Sequence, residues 1–166
     1  MKKIIAIAAA TLIGATTASA GSWGTEFLPT YLDENNFGAE IELFKRVYES
    51  GEYGDETGGV NVYLGVRLGT IASDYDSELH YGGALVVGAE YELTERIRPY
   101  ISGGPSWYDD GSVPGLFGSG GFGEAGVSFD VKGSWLDKAG ATITLRAGYS
   151  SYFDDVYYGI GVGKRF

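Results

Sequence analysis

Few residues in this chain could carry chemistry, and their types narrow the choice quickly. There is one histidine, His80, and no cysteine. Multi-histidine metal sites and thiolate sites are therefore excluded. His80 could act as a general base, with Glu78 on the same face of an extended strand and Ser77 and Ser106 as the candidate hydroxyls. The plainer role for a lone histidine is a hydrogen-bonded lumen or rim residue. Gly118-Ser119-Gly120-Gly121-Phe122-Gly123 matches G-x-G-x-x-G. A dinucleotide site needs a helix after that string, and here it opens a strand. No P-loop, G-x-S-x-G or H-E-x-x-H occurs, and no cofactor is expected.

The carboxylates fall into two groups. Asp33, Glu34, Asp74, Asp76, Glu78, Asp109, Asp110, Asp154 and Asp155 lie in turn-like segments without a Lys or Arg. Oxygen-rich clusters suit Ca²⁺ and Mg²⁺, which makes Asp74, Asp76, Asp109, Asp110, Asp154 and Asp155 the candidate cation ligands. No segment has the spacing of an EF-hand, and solvated acidic loops are the plainer reading. The second group shares one strand parity with arginines. Glu40, Glu42, Glu90, Glu92 and Glu124 alternate in phase with Arg46, Arg67, Arg98, Arg146 and Arg165, five of each sign in a chain of net charge −10.

These residues must be positioned by strands. The 166 residues fit one domain. With 28 Gly, four Pro and no Gly-X-Y period the chain is not collagen, and 44% hydrophobic content argues against disorder. The acidic balance argues against a nucleic-acid binder. Residues 1–20 read as a secretory signal peptide: Lys2 and Lys3, an apolar Ile4–Ala15, and Ala18-Ser19-Ala20 before the cut. Cleavage removes both lysines and takes the charge from −10 to −12.

From Gly21 to Phe166 no helical period persists, and alternation at period 2 recurs. The clearest run is Val60 to Leu68. Others are Phe37–Leu43, Leu79–Tyr91, Ile97–Trp107, Glu124–Val131, Ala141–Tyr149 and Val156–Gly163, with Ser22–Tyr31 as an eighth of poor alternation. Turn signals separate them at 32–35, 49–59, 73–78, 93–95, 109–118, 133–140 and 153–155. Runs of about 10 to 15 residues exceed ordinary strands and suit a tilted membrane crossing. Alternation alone does not separate a soluble sandwich from a membrane barrel; charge does. A solvated face needs no balance of sign, whereas a closed lumen must pair its charges. Arginine predominates over lysine there, as bidentate pairing favours. The same parity is rich in Gly, including Gly38, Gly65, Gly82, Gly88, Gly126, Gly148, Gly159, Gly161 and Gly163, read as spacers for arginine side chains. Aromatics near strand ends, among them Trp23, Tyr31, Phe37, Tyr81, Tyr91, Trp107, Tyr149, Phe153 and Phe166, are expected to form lipid-facing girdles.

The signal, the eight runs and the end Tyr158-Gly159-Ile160-Gly161-Val162-Gly163-Lys164-Arg165-Phe166 resemble the small outer-membrane β-barrel proteins of the OmpA and OmpX kind. Lys164 departs from the apolar residue usual there. The resemblance implies an all-β fold: a closed antiparallel up-and-down transmembrane β-barrel of eight strands over 21–166. It implies a place in the outer membrane among lipid and lipopolysaccharide. It also implies that Tyr158, Ile160, Val162 and Phe166 form the C-terminal signal read by the barrel-assembly machinery. A monomer is expected, with divalent cations at the acidic outer loops the one further partner considered. Lipid A deacylases, also small barrels, carry His-x-Ser on the penultimate strand; this chain has Tyr149-Ser150-Ser151-Tyr152 there. Three function classes remain: a non-enzymatic structural or interaction barrel with at most a small gated pore, a rim enzyme acting on outer-leaflet lipid, and a soluble periplasmic barrel holding a small apolar ligand.

Overall fold

The computed structural model describes residues 23–33, 36–50, 58–73, 79–109, 117–131 and 141–164. The expected signal peptide, Glu34, Asp74, Asp76, Ser77, Glu78, Asp110, Arg165 and Phe166 lie outside them. Eight strands follow in order: β1 (Trp23–Asp33), β2 (Asn36–Ser50), β3 (Val60–Ser73), β4 (Leu79–Tyr91), β5 (Ile97–Asp109), β6 (Phe117–Asp130), β7 (Thr142–Ser150) and β8 (Asp155–Lys164). Each pairs antiparallel with its neighbour in sequence, and β1 pairs with β8 to close the barrel. The fold expected from alternation is therefore the fold observed. β1 reads poorly because its inward positions include apolar Leu28, while its outward ones include Thr25 and Pro29.

Outward positions are apolar and inward ones polar or small. Leu68 is 62% exposed, Ile101 64% and Ile160 60%, whereas Glu42 is 1% and Arg67 3%. Apart from strand ends and Lys45, which stands over the Trp23 ring, no outward strand position among the described residues carries a charge. A bulge between Arg46 and Tyr48 lets both Val47 and Tyr48 face outward near the end of β2.

Two prolines interrupt the wall. The β4–β5 pairs lapse between Ala84↔Ser106 and Val87↔Gly103, opposite Pro105. The β1–β8 pairs lapse between Phe27↔Val162 and Thr30↔Gly159, at Pro29. Proline has no N–H to give the ladder, so the facing carbonyls of Leu85 and Ile160 lose their donors.

The inward glycines differ from their reading as spacers for arginine. A Cβ at Gly88 would lie 2.2 Å from the Tyr63 ring, at Gly148 2.6 Å from Tyr157 and at Gly126 2.6 Å from Tyr100. Each ring covers the glycine directly across the ladder. Gly159, where a Cβ would lie 2.7 Å from Arg146 Nε, is the one of those nine with an arginine among its nearest atoms. A lumen this narrow accepts a large ring only where the opposite residue has no side chain. At Gly82 a Cβ would meet the Trp107 carbonyl oxygen at 2.4 Å, and backbone does not give way; at Gly123 nothing lies within 4 Å. Gly82→Ala should lower unfolding free energy by about 1–3 kcal/mol and Gly123→Ala should leave it unchanged. Urea titration of the protein refolded in detergent micelles measures both.

Candidate functional site

The lumen is filled in layers. At its centre the parity of β2, β3, β6 and β7 brings Glu40, Glu42, Arg67, Glu124 and Arg146 together. Arg67 Nη2 lies 2.6 Å from Glu42 Oε2 and 2.7 Å from Glu124 Oε1. Arg146 Nη1 lies 3.1 Å from Glu124 Oε2, and its Nη2 pairs with Glu40. Glu124 is thus shared by both guanidinium groups. Neutral donors complete the carboxylates: Ser102 Oγ at 2.9 Å and Tyr157 OH at 2.7 Å donate to Glu124. Thr30 Oγ1 at 3.0 Å and Tyr108 OH at 3.3 Å donate to Glu40. The Arg67 guanidinium stacks 4.5 Å from the Phe122 ring centre and Arg146 5.2 Å from that of Tyr157.

Towards the end that holds the termini comes an apolar cluster of Phe44, Tyr63 and Val86. Below it Arg98 pairs with Asp130 and lies 3.6 Å from Glu90. The remaining expected charges sit at that rim. Arg46 pairs with exposed Glu49 at 2.9 Å and donates to Asn61, and Asn61 donates to Glu92 at 3.2 Å. Glu92 therefore reaches the network through an amide.

Two inward acids stand outside the expected set of five. Glu26, 1% exposed, accepts a hydrogen bond from Thr144, and Asp130 pairs with Arg98. The expectation of equal acids and arginines is corrected accordingly: the lumen is acid-rich. Glu26 was hidden by the weak period of β1, whereas Asp130 alternates in phase with Glu124 and Ser128 at the end of its strand.

At the other end the β7–β8 turn, residues 151–154, folds inward over the mouth. Phe153 and Tyr152 pack on Tyr108 with ring centres 4.8 and 5.1 Å away. The lipid-facing role expected of Phe153 is corrected by this packing, which hides its ring from the exterior. The other girdle candidates Trp23, Tyr31, Phe37, Tyr81, Tyr91 and Tyr149 face outward. Between lid and ionic layer lies a cavity of about 20 Å³, lined by Thr30, Glu40, Arg67, Ile71, Ala84, Ser106, Tyr108, Phe122, Ser150, Phe153 and Tyr157.

Other candidates are dispersed. His80 Nδ1 lies 3.0 Å from the Asp109 carbonyl oxygen, which ties the ring to the rim. Asp154 has φ 53° and accepts from Tyr149 OH, and Asp155 accepts from the Val156 N–H at 2.7 Å. Among the described residues no group of three or more His, Cys, Asp or Glu side chains is placed to hold a metal ion. On β8, Tyr158, Ile160 and Val162 lie on the outward face.

Fold and lumen define a closed eight-stranded up-and-down barrel of the transmembrane type. Solved structures of that type match it. One is a designed transmembrane β-barrel, at TM-score 0.58 and 14% identity over 87% of this chain and 97% of that one. Another is the outer membrane enzyme PagL, at TM-score 0.56 and 13% identity over 86% of this chain and 99% of the other. A third is the Yersinia pestis outer membrane protein Ail in a phospholipid bilayer nanodisc, at 0.50 and 15% over 89% and 100%. At these identities the likeness is one of fold. No model of a known protein family and no curated protein matches the sequence.

The buried pairs and the rim pairs differ sharply in what they contribute. Arg67→Met leaves Glu42 and Glu124 without a shared cation in a dry lumen, and should cost about 3–5 kcal/mol. Arg46→Met removes a pair whose acid is exposed and should cost less than about 1 kcal/mol. Urea unfolding of each variant in micelles checks the contrast.

Proposed function

We propose that the chain is an integral outer-membrane protein, a closed non-enzymatic barrel with a structural or interaction role, embedded in outer-membrane lipid and lipopolysaccharide. The observation that carries this reading is the inversion of polarity: a largely apolar exterior around a lumen of paired charges. A soluble barrel places its charges outside. A membrane barrel presents an apolar band to lipid, and strands of 9 to 15 residues are long enough to cross it. The soluble, ligand-binding reading would leave side chains such as Leu64, Leu85 and Leu145 in water. In the proposed orientation the strand ends at Trp23, Ser50, Val60, Tyr91, Ile97, Asp130, Thr142 and Lys164 face the periplasm. The opposite strand ends and the 151–154 turn face outward, toward lipopolysaccharide. Tyr158, Ile160, Val162 and Phe166 serve as the assembly signal.

The central Arg67–Glu124–Arg146 layer acts as a plug, since eight strands enclose a lumen that side chains just fill. For the rim-enzyme reading, the bond from His80 to a backbone carbonyl supports an anchoring role. PagL is an enzyme, but the likeness to it is one of fold.

Three outcomes are expected. The mature chain stays with membranes after alkaline or urea extraction and shows heat-modifiable migration on gels; release into the soluble fraction overturns the membrane reading. In planar bilayers the native barrel conducts little and Arg67→Ala/Arg146→Ala conducts measurably more, while equal conductance removes the plug. His80→Ala leaves the lipid A profile of expressing cells unchanged; a changed profile would revive the enzyme.

A further inference from the structure

Cations on the outer wall are confined to one place. Among the described residues the strands carry them outward at two positions, Lys45 within β2 and Lys164 at the end of β8. The ladder brings the two to one patch. Lys45 stands opposite Trp23, and Lys164 opposite Thr25. Thr25 is also opposite Leu43, which is 44% exposed, so these side chains share the outward face. The lysines thus flank β1, one on each side. Their backbones lie about 10 Å apart across the ladder and about 7 Å along it. Flexible four-carbon stems let both ammonium groups reach a single group between them.

The surroundings favour an anion with a hydrocarbon tail. Lys45 Nζ lies 5.5 Å from the centre of the Trp23 ring, so the indole already orients one cation. Among the described residues no carboxylate pairs with either lysine. Glu26 and Glu42 point into the lumen, and Glu49 pairs with Arg46 at 2.9 Å. Nearer the middle of the wall Phe27, Leu43 and Val162 continue the patch as apolar side chains. Cation and indole at the rim with hydrocarbon below is the order in which a phospholipid presents its groups. Indoles settle at headgroup level, and lysines there attract anionic lipid. The chain as a whole repels such a lipid, since its net charge is −10, so an attraction at this seam is local.

We propose that the outward face of the β8–β1–β2 seam binds one anionic phospholipid, its phosphate bridged by Lys45 and Lys164 beside Trp23 and Thr25, its acyl chains along Phe27 and Leu43. The site rests on the membrane reading above, in which this rim lies at the periplasmic leaflet.

Trp23 reports on the site. In a Trp107→Phe/Trp135→Phe background it is the one tryptophan left of three, and lipid with brominated acyl chains quenches it on contact. The refolded mature chain in phosphatidylcholine bilayers is titrated with brominated phosphatidylglycerol or brominated phosphatidylcholine. Phosphatidylglycerol should be preferred about 25-fold, and Lys45→Gln or Lys164→Gln should each lower that preference about fivefold, the attraction of one lysine near an anionic headgroup. Arg96→Gln, in the β4–β5 turn across the ring, should leave it unchanged. Equal quenching by the two lipids, or an undiminished preference in both lysine variants, overturns the site and leaves the membrane reading standing. Loss of the preference when inorganic phosphate replaces chloride at equal ionic strength makes this a free-anion site and overturns the lipid. Quenching by neither lipid overturns the membrane reading and the site with it.

Discussion

Arg67 and Arg146 carry charges that no bulk water solvates, and the interior is built to answer them. Each guanidinium takes a carboxylate on either side, with Glu124 shared between them. Groups from seven strands meet in this layer: Thr30, Glu40 and Glu42, Arg67, Ser102 and Tyr108, Glu124, Arg146, and Tyr157, on β1, β2, β3, β5, β6, β7 and β8. β4 contributes little bulk there, with Gly82 and Ala84 inward. Register follows directly. Slipping any of these strands by one residue would turn its charge toward the outer face and break the layer. The ion pairs therefore act as a specificity device as much as a source of stability, since a buried pair roughly offsets its own desolvation.

Around that layer the barrel is packed by rings on glycines. Tyr63, Tyr100 and Tyr157 lie over Gly88, Gly126 and Gly148 across the ladder, so wall and filling are complementary pair by pair. Pro29 and Pro105 each sit four residues from the same end of β1 and β5, strands on opposite sides of the ring. At Pro105 the wall stays tight: a Cβ on Gly104 would lie 2.0 Å from the Leu85 carbonyl oxygen. A glycine Cα–H thus approaches the acceptor that proline leaves without an amide.

Most of the fold was readable from alternation because a closed barrel imposes one rule on every strand. Val60–Leu68 obeys it without exception, and β3 is where the reading is sharpest. It weakens where a lumen position is apolar by need. Leu28 and Phe44 are both buried inward, and a reader of polarity assigns such residues to the wrong side or to neither. Charge parity revealed which residues share the lumen but not which touch. That Glu124 joins both arginines while Glu92 meets an asparagine depends on height along the axis, which register sets and composition does not. The lid was illegible for a different reason. Phe153 belongs to a four-residue turn between two strands, and no period applies to a turn; its inward course depends on Gly118 and Gly120, which leave room for Tyr152.

The ionic interior also explains how an apolar exterior is compatible with export. In the proposed setting the chain crosses an aqueous compartment before it meets lipid. A strand apolar on both faces would form a continuous hydrophobic run, prone to aggregate or to be held in the first membrane it meets. Alternating the apolar face with glutamate, arginine, serine and glycine brings the mean hydropathy to −0.05, and no helix in the described residues is long and apolar enough to span a bilayer. The apolar surface exists as such only once the barrel closes, because closure gathers every second residue onto one side. Charges that would be a burden in a membrane helix become the filling of the lumen, paired there at distances near 2.6 to 3.1 Å. The same alternation thus keeps the unfolded chain polar and makes the folded wall apolar, and the buried salt bridges are what allow one sequence to do both.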